Sequence, residues 1–444
     1  MPESDTRLTA DLSPLRRATR NFGRLLRGRS VAAVLESLTI IILARSLTPA
    51  YFGNIVLIQT YVVIVRELLN FKVFEAIIRF GVPMIEAHDQ SSFKQLLRLT
   101  LRIDVLSAVS ATIVAIAAAP LTARMLDWDN ELVPLTMLYS IVLLIFGSNT
   151  ARGILRLFDR YDILGTQLMV GPVLRLIGVL LVLWWGPGVV PFVVALTLAA
   201  AAANVYLNLQ GWAEMRRQVG NLALREYPLK GWRQQFPGLG SFIAVVYWQA
   251  NVDMLPKQLS TLLVGLFLGP QGAGMLRIAS EVTKILSKPG ELLQQVLFPD
   301  LVRMWIRDTM AFAAILQRAL LASALYGLLF VAASTFGGSF LLTGALGADY
   351  AQAAPLLSLL MLAATFELLA TMLRSAGYAM GHAGKILRLH LISSMLYLLL
   401  FVVLTPYTGL IGPGLAACMA SLVPLVGIGL LIRKQFAKNQ PPIV

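Results

Sequence analysis

Apolar runs of membrane-crossing length recur from one end of this chain to the other, and no other feature constrains the fold as strongly. About 20 helical residues cross a hydrocarbon core. Composition agrees, because 57% of the residues are hydrophobic and 14% charged. That is too little polar surface for a soluble chain of 444 residues. The fold class that follows is an all-α polytopic membrane protein. Helices are expected at 30–48, 53–71, 93–119, 132–150, 162–185, 189–212, 240–268, 271–301, 309–335, 351–376, 385–405 and 410–432.

The formal net charge of +14 acquires meaning from where it falls. Arg7, Arg16, Arg17, Arg20, Arg24, Arg27 and Arg29 precede the first helix, while the next connection, Thr48–Phe52, carries no base. Basic and base-poor connections then alternate. Lys72, Arg79, Lys94 and Arg98 are followed by Leu121–Glu131, with Arg124 against three acids. Arg152, Arg156 and Arg160 are followed by the uncharged Trp184–Gly188, and the alternation holds to Arg433, Lys434 and Lys438. The positive-inside rule gives twelve helices with both termini cytoplasmic, and no nucleic-acid partner is needed to explain the charge.

The expected organisation is a basic cytoplasmic segment (1–29), a six-helix bundle (30–217), a cytoplasmic linker (218–239), a second six-helix bundle (240–432) and a cytoplasmic tail (433–444). Ser13–Arg29 sets Leu15, Phe22, Leu25 and Leu26 against six arginines. It reads either as an amphipathic helix on anionic lipid or as a topogenic tail, and a cleaved signal is not expected.

A shift of 221 residues overlays LTPAYFG (47–53) on LGPQGAG (268–274), Val-Pro-Leu (133–135) on Ala-Pro-Leu (354–356), and Gly188 on Gly409. Two pseudo-symmetric six-helix bundles follow. Their repeat axis should run along the membrane normal, with a central cavity at their interface.

Several ionisable residues fall inside the expected spans: Glu36, Arg66, Glu67, Arg175, Asp253, Lys257 and Glu367. Helix 8 carries Arg277, Glu281, Lys284, Lys288 and Glu291, at spacings that place all five on one stripe. Facing lipid, each would cost about 2.5–3.5 kcal/mol at the helix centre. The stripe therefore faces protein or water, as a self-neutralising ladder or as a cavity lining. Arg66 and Arg175 each stand about 13 residues into their helices, about 20 Å at 1.5 Å per residue. Arg66 adjoins Glu67, but helical neighbours diverge by about 100°. The one acid in the helix of Arg175, Asp162, is 13 residues away, so Arg175 calls for a carboxylate from another helix or a bound phosphate. Gly171-Pro172, Pro256 and Pro289-Gly290 lie close to these charges and are candidate bending points.

Catalytic and metal signatures are missing. Cys418 is the only cysteine, and His88, His382 and His390 read as interfacial residues. No nucleotide-binding glycine loop, nucleophile elbow or HExxH occurs. Neither enzyme chemistry, a cofactor nor a metal is expected.

LARSLTPAYFGNIVLIQ (43–59), GADYAQAAPLLSLLMLA (347–363) and TGLIGPGLAACMAS (408–421) resemble stretches of Wzx-type polysaccharide flippases. Those belong to the multidrug/oligosaccharidyl-lipid/polysaccharide exporter superfamily. The resemblance implies alternating access in the inner membrane and an undecaprenyl-diphosphate-linked oligosaccharide as cargo, moved from the cytoplasmic to the periplasmic face. In the related lipid II flippases bases on helices 1, 2 and 8 line the cavity. Carried over, this implies substrate-binding roles for Arg66, Arg277 and Lys284, to which the buried charges add Arg175, Lys257 and Lys288. Helix 1 departs from that pattern, with Glu36 where a base is expected, and Asn70-Phe71-Lys72 replaces a usual glycine. Glu281, Asp253, Glu67 and Glu36 are the candidates for coupling to a proton or cation. Membrane lipids and other polysaccharide-assembly membrane proteins are the remaining candidate partners. A drug/cation antiporter should show a carboxylate-dominated cavity, and a membrane polymerase or glycosyltransferase a long catalytic loop. The longest outer connection, Phe336–Tyr350, spans only 15 residues.

Overall fold

In the computed structural model of the protein, the described residues are 14–125, 128, 131–220 and 231–439. Within those ranges the side chains of 14–22, 26, 146, 252, 253, 255, 257, 285, 287–300, 302, 303, 306, 307, 438 and 439 are not described. The described chain is helical, with no strand among its elements. The first half comprises α1 (Pro14–Arg45), α2 (Pro49–Leu68), α3 (Val73–Glu86), α4 (Gln90–Met125), α5 (Leu132–Ser140), a 3₁₀ turn (Ile141–Phe146), α6 (Asn149–Leu157), α7 (Tyr161–Trp185) and α8 (Val189–Val219). After the short α9 (Trp232–Gln235) come α10 (Leu239–Arg307), α11 (Thr309–Leu346), a 3₁₀ turn (Ala348–Ala353), α12 (Ala354–Ala379), α13 (Ala383–Thr408) and α14 (Ile411–Asn439).

Ten stretches among the described residues are long and apolar enough to cross a membrane. One of these, Gln258–Lys284, runs through Gly269, where φ of 70° breaks the helix. A Cβ on Gly272 would stand 3.1 Å from a Val264 methyl, although eight residues of straight helix span about 12 Å. The chain therefore doubles back at Gly269, and α10 is two helices, 239–268 and 270–307. Counting both, together with the charged α1, gives the twelve expected helices. α1 runs without a break from Pro14, so the basic stretch and the first span form one helix of 32 residues.

Two departures from the expected helices matter for the site. Residues 73–86, expected to lie in a basic connection, form α3. Its Val73, Ala76, Ile77 and Gly81 recur at helical spacing and are buried. The expected unbroken helix over 132–150 is interrupted by the 3₁₀ turn and by Gly147-Ser148, and resumes at Asn149. Pro172 and Pro256 lie inside stretches that remain helical.

The chain forms two compact units, one of residues 1–46 and 58–255, the other of 47–57 and 256–444. In the first, Val73 and Ala76 of α3 pack with Leu96 and Leu99 of α4 and with Phe236, Leu239 and Ile243. In the second, Phe312, Leu373, Ala376, Ile386 and Ile428 share a core. The repeated motif reappears there as a contact. A Cβ on Gly53 would fall 1.7 Å from the Pro270 carbonyl oxygen, and one on Gly274 2.7 Å from that of Pro49. Positions 49 and 53 correspond to 270 and 274 under the 221-residue shift, so the two copies of the motif contact each other reciprocally. A two-fold relation between the copies requires this pattern.

Candidate functional site

The charged residues expected inside the spans resolve into small, separate groups. In the first unit α2 ends at Leu68, and the backbone beyond it tightens, with Leu69 N–H donating to Arg66 O at 3.2 Å. Arg66 folds onto its neighbour, its Nε donating to Glu67 Oε1 at 2.9 Å and its Nη2 at 2.5 Å. Lys72, whose left-handed backbone (φ 47°) turns the chain into α3, donates to the other oxygen of Glu67. This corrects the expectation that Arg66 and Glu67 diverge and that Arg66 lies far inside its helix. Arg66 stands in the last turn of α2, where a long side chain has room to curl back and where the negative end of the helix dipole favours a cation.

Beside this trio lies a buried polar network that the sequence reading missed. Asp104 of α4, 2% exposed, accepts from Asn149 Nδ2 at 2.9 Å, from Thr150 N–H at 2.6 Å and from the Thr150 hydroxyl at 2.7 Å. It thus caps α6 where that helix restarts, binding one of the free N–H groups of a helix N-terminus. The Asn149 amide also donates to Asn70 Oδ1 at 2.8 Å, and Asn70 lies in the break between α2 and α3. One carboxylate therefore ties two helix breaks to α4. Arg66, Asn70, Asp104, Ser107, Leu143 and Asn149 line a common cleft. Arg152 of α6 lies within electrostatic reach of Arg66, Glu67, Asp104 and Arg156, and Arg156 stacks over Phe74, 4.7 Å from the ring centre. The sequence did hold a signal, an acid at 104 inside an apolar run and a turn-forming Gly-Ser-Asn-Thr at 147–150.

Arg175 finds its carboxylate on another helix, Glu36 of α1, with Nη1 to Oε1 at 3.9 Å. That is an ion pair without a hydrogen bond, and the buried Nε of Arg175 has no hydrogen-bond partner. α1 and α7 approach closely two to three turns earlier, at Gly28 and Gly165, a Cβ on Gly28 falling 2.4 Å from the Gly165 carbonyl oxygen.

In the second unit Glu281 pairs with two bases one turn away on either side, forming an ion pair with Arg277 Nη2 at 2.9 Å and accepting from Lys284 Nζ at 2.5 Å. This is the ladder that the stripe's spacing allowed. Lys288 and Glu291, further along it, and Asp253 and Lys257 have side chains outside the described residues. Arg374 pairs with Glu367 along α12. Among the described residues no cluster of three His, Cys, Asp or Glu could hold a metal, and the Cys418 thiol is buried, 3.1 Å from the Leu359 carbonyl oxygen.

A family model described as polysaccharide biosynthesis protein matches residues 18–305, well over half of the chain. The chain belongs to this family. It is also similar to the inner membrane protein YghQ of Escherichia coli (strain K12), 26% identical over 341 residues, 75% of this chain and 94% of YghQ. Several solved structures share the fold, among them the following two. An inward-facing multidrug resistance MATE family transporter of the MOP superfamily has a TM-score of 0.71 at 16% identity, covering 94% of this chain and 100% of that one. The lipid II flippase MurJ in an inward closed conformation has a TM-score of 0.69 at 13% identity, covering 91% of this chain and 86% of that one. This member of the polysaccharide biosynthesis family is thus a multi-pass membrane protein with a transporter fold. Arg66–Glu67–Lys72, at the break between α2 and α3, and Arg277–Glu281–Lys284, within α10, each set two bases on one carboxylate.

Proposed function

We propose that the protein is a flippase for undecaprenyl-diphosphate-linked oligosaccharide, carrying it by alternating access from the cytoplasmic to the periplasmic face of the bacterial inner membrane for cell-surface polysaccharide synthesis. The observation that carries this reading is the net charge of the two trios. Each holds one positive charge in excess of its acid, on a chain whose family makes polysaccharide. A lipid diphosphate brings about two negative charges and crosses the bilayer centre only where fixed cations replace its hydration. A cation exporter needs the opposite surplus. Arg66, Arg175, Arg277 and Lys284 are the substrate-binding residues on this reading, with Lys257 and Lys288 supporting them. Bases grip and orient the headgroup, and no bond is made or broken, so no catalytic residue is assigned. A proton or cation returning through the protein drives the cycle, with Glu281, Asp253, Glu67 and Glu36 as the acids that carry it.

The test is an export assay in cells lacking the native gene. Alanine at any of the four first-named bases should abolish export, leave the protein inserted and abundant, and make short lipid-linked units accumulate on the cytoplasmic side. Lysine at 66 or 175 should fail to restore export if the guanidinium grips phosphate through two parallel hydrogen bonds. Full export by all four alanine variants would sink the cationic mechanism and leave the fold standing.

A further inference from the structure

A second basic feature lies in the second unit, apart from the charge trios. Where α13 begins and α14 ends, the hairpin carries a groove of about 340 Å³. Its mouth is Lys385 and Arg388 from the first turns of α13 and Lys434 from the last turns of α14. All three are exposed, and none pairs with a carboxylate among the described residues. No acid lines the groove. Its floor is hydrocarbon: Leu389, Leu430 and Leu431, with Gly427 at the deep end. A Cβ on Gly427 would stand 2.7 Å from Leu389 Cδ2, so this glycine keeps the floor low.

The spacing sets the shape of the occupant. Gly427, Leu430, Leu431 and Lys434 recur at helical intervals along one face of α14, and Lys385, Arg388 and Leu389 do the same on α13. Gly427 and Lys434 are seven residues apart, about 10 Å along the helix. The groove therefore carries three cations along its two edges, with a trough of apolar side chains between them. Leu430 is 52% exposed, so the trough is open along its side. A charged head joined to a hydrocarbon tail fits this arrangement, and a soluble anion would leave the trough empty.

We propose that this groove binds one anionic glycerophospholipid of the adjoining leaflet, its phosphate against Lys385, Arg388 and Lys434 and one acyl chain along Leu389, Leu430 and Gly427. Three cations with no acid beside them favour a headgroup whose phosphate charge is not cancelled by an amine, so phosphatidylglycerol should bind and phosphatidylcholine should not. The charge pattern assigns this end of the hairpin to the cytoplasm, where anionic lipids draw basic clusters. The site is independent of the transport reading.

Native mass spectrometry of the full-length protein, released from nanodiscs of equal phosphatidylglycerol and phosphatidylcholine content, tests the site. Wild type should retain one phosphatidylglycerol in preference to phosphatidylcholine. Each surface cation is worth about fivefold in lipid affinity, so Lys385→Gln, Arg388→Gln and Lys434→Gln together should weaken retention about a hundredfold. Gly427→Leu fills the trough with every cation in place and should weaken retention about tenfold through the tail alone. Equal retention of the two lipids by wild type overturns the proposal without reliance on any variant, as does a triple variant that holds phosphatidylglycerol like wild type. Displacement of phosphatidylglycerol by equimolar undecaprenyl phosphate overturns it in favour of the carrier lipid.

Discussion

At the scale of single residues, two of the three buried acids of the first unit, Glu67 and Asp104, are held differently. Glu67 is held by two cations, Arg66 and Lys72, whereas Asp104 accepts only from an amide, a backbone N–H and a hydroxyl. Asp104→Ala leaves three buried donors without an acceptor, at about 1–3 kcal/mol each before relaxation. Thermal unfolding in detergent should show a loss of about 3–5 kcal/mol. Asp104→Asn keeps one acceptor oxygen and should lose about half as much. An alanine variant as stable as wild type would mean that the network is dispensable. Asp104 was harder to find than Arg66 because its partners are neutral. Neither Asn149 nor Thr150 stands out as a buried charge does, and the hydrogen bonds span 45 and 46 residues of sequence.

Among the elements, the long helices were legible because each must supply its own hydrogen bonds across the bilayer. The breaks between them were less so. α3 is 14 residues long, and Lys72 and Arg79 gave it the look of a connection. Its buried face emerges only when it packs on α4, and Arg79 caps that packing by lying over the Phe242 ring, 4.5 Å from its centre. The turn at Gly269 is legible as glycine beside proline, and its backbone angles explain the choice. With φ 70° and ψ −175°, it occupies a region that side chains exclude. Gly269→Ala should therefore cost about 1–3 kcal/mol, read as a lower melting temperature. Gly53→Ala should cost more, because its Cβ would meet a backbone carbonyl rather than a flexible side chain. Gly337→Ala, with nothing within 4 Å, should be neutral or stabilising by about 0.5–1 kcal/mol. Equal midpoints for the Gly53 and Gly337 variants would count against the close contact at Pro270.

At the scale of the whole molecule, the repeat read from three short matches has one physical counterpart, the reciprocal approach of Gly53 to Pro270 and of Gly274 to Pro49. A contact made twice by the same motif weakens twice when the motif changes. Gly274→Ala should accordingly destabilise in the same direction as Gly53→Ala, and the double variant should lose less than the sum of the two because the sites are in contact. The orientation of the chain is an expectation of the charge pattern. Reporter fusions after Val219, Arg307 and Lys385 should read cytoplasmic, and fusions at Asp129 (outside the described residues), Pro270 and Asp349 periplasmic. A reversed signal at any of them would overturn the topology at that hairpin.

The contrast between Glu67 and Asp104 also has a consequence in time. Arg66 and Lys72 are one and five residues from Glu67, so all three enter the translocon together and the acid is neutralised as it is made. Asp104 must wait for Thr150, 46 residues later. At about 5–20 residues per second, that delay lasts roughly 2–9 s. During this interval α4 carries an unsatisfied carboxylate, and the nascent chain either holds it near the lipid headgroups or shelters it in the translocon. Ribosome pausing that lengthens the interval should therefore harm insertion of this helix more than that of α2.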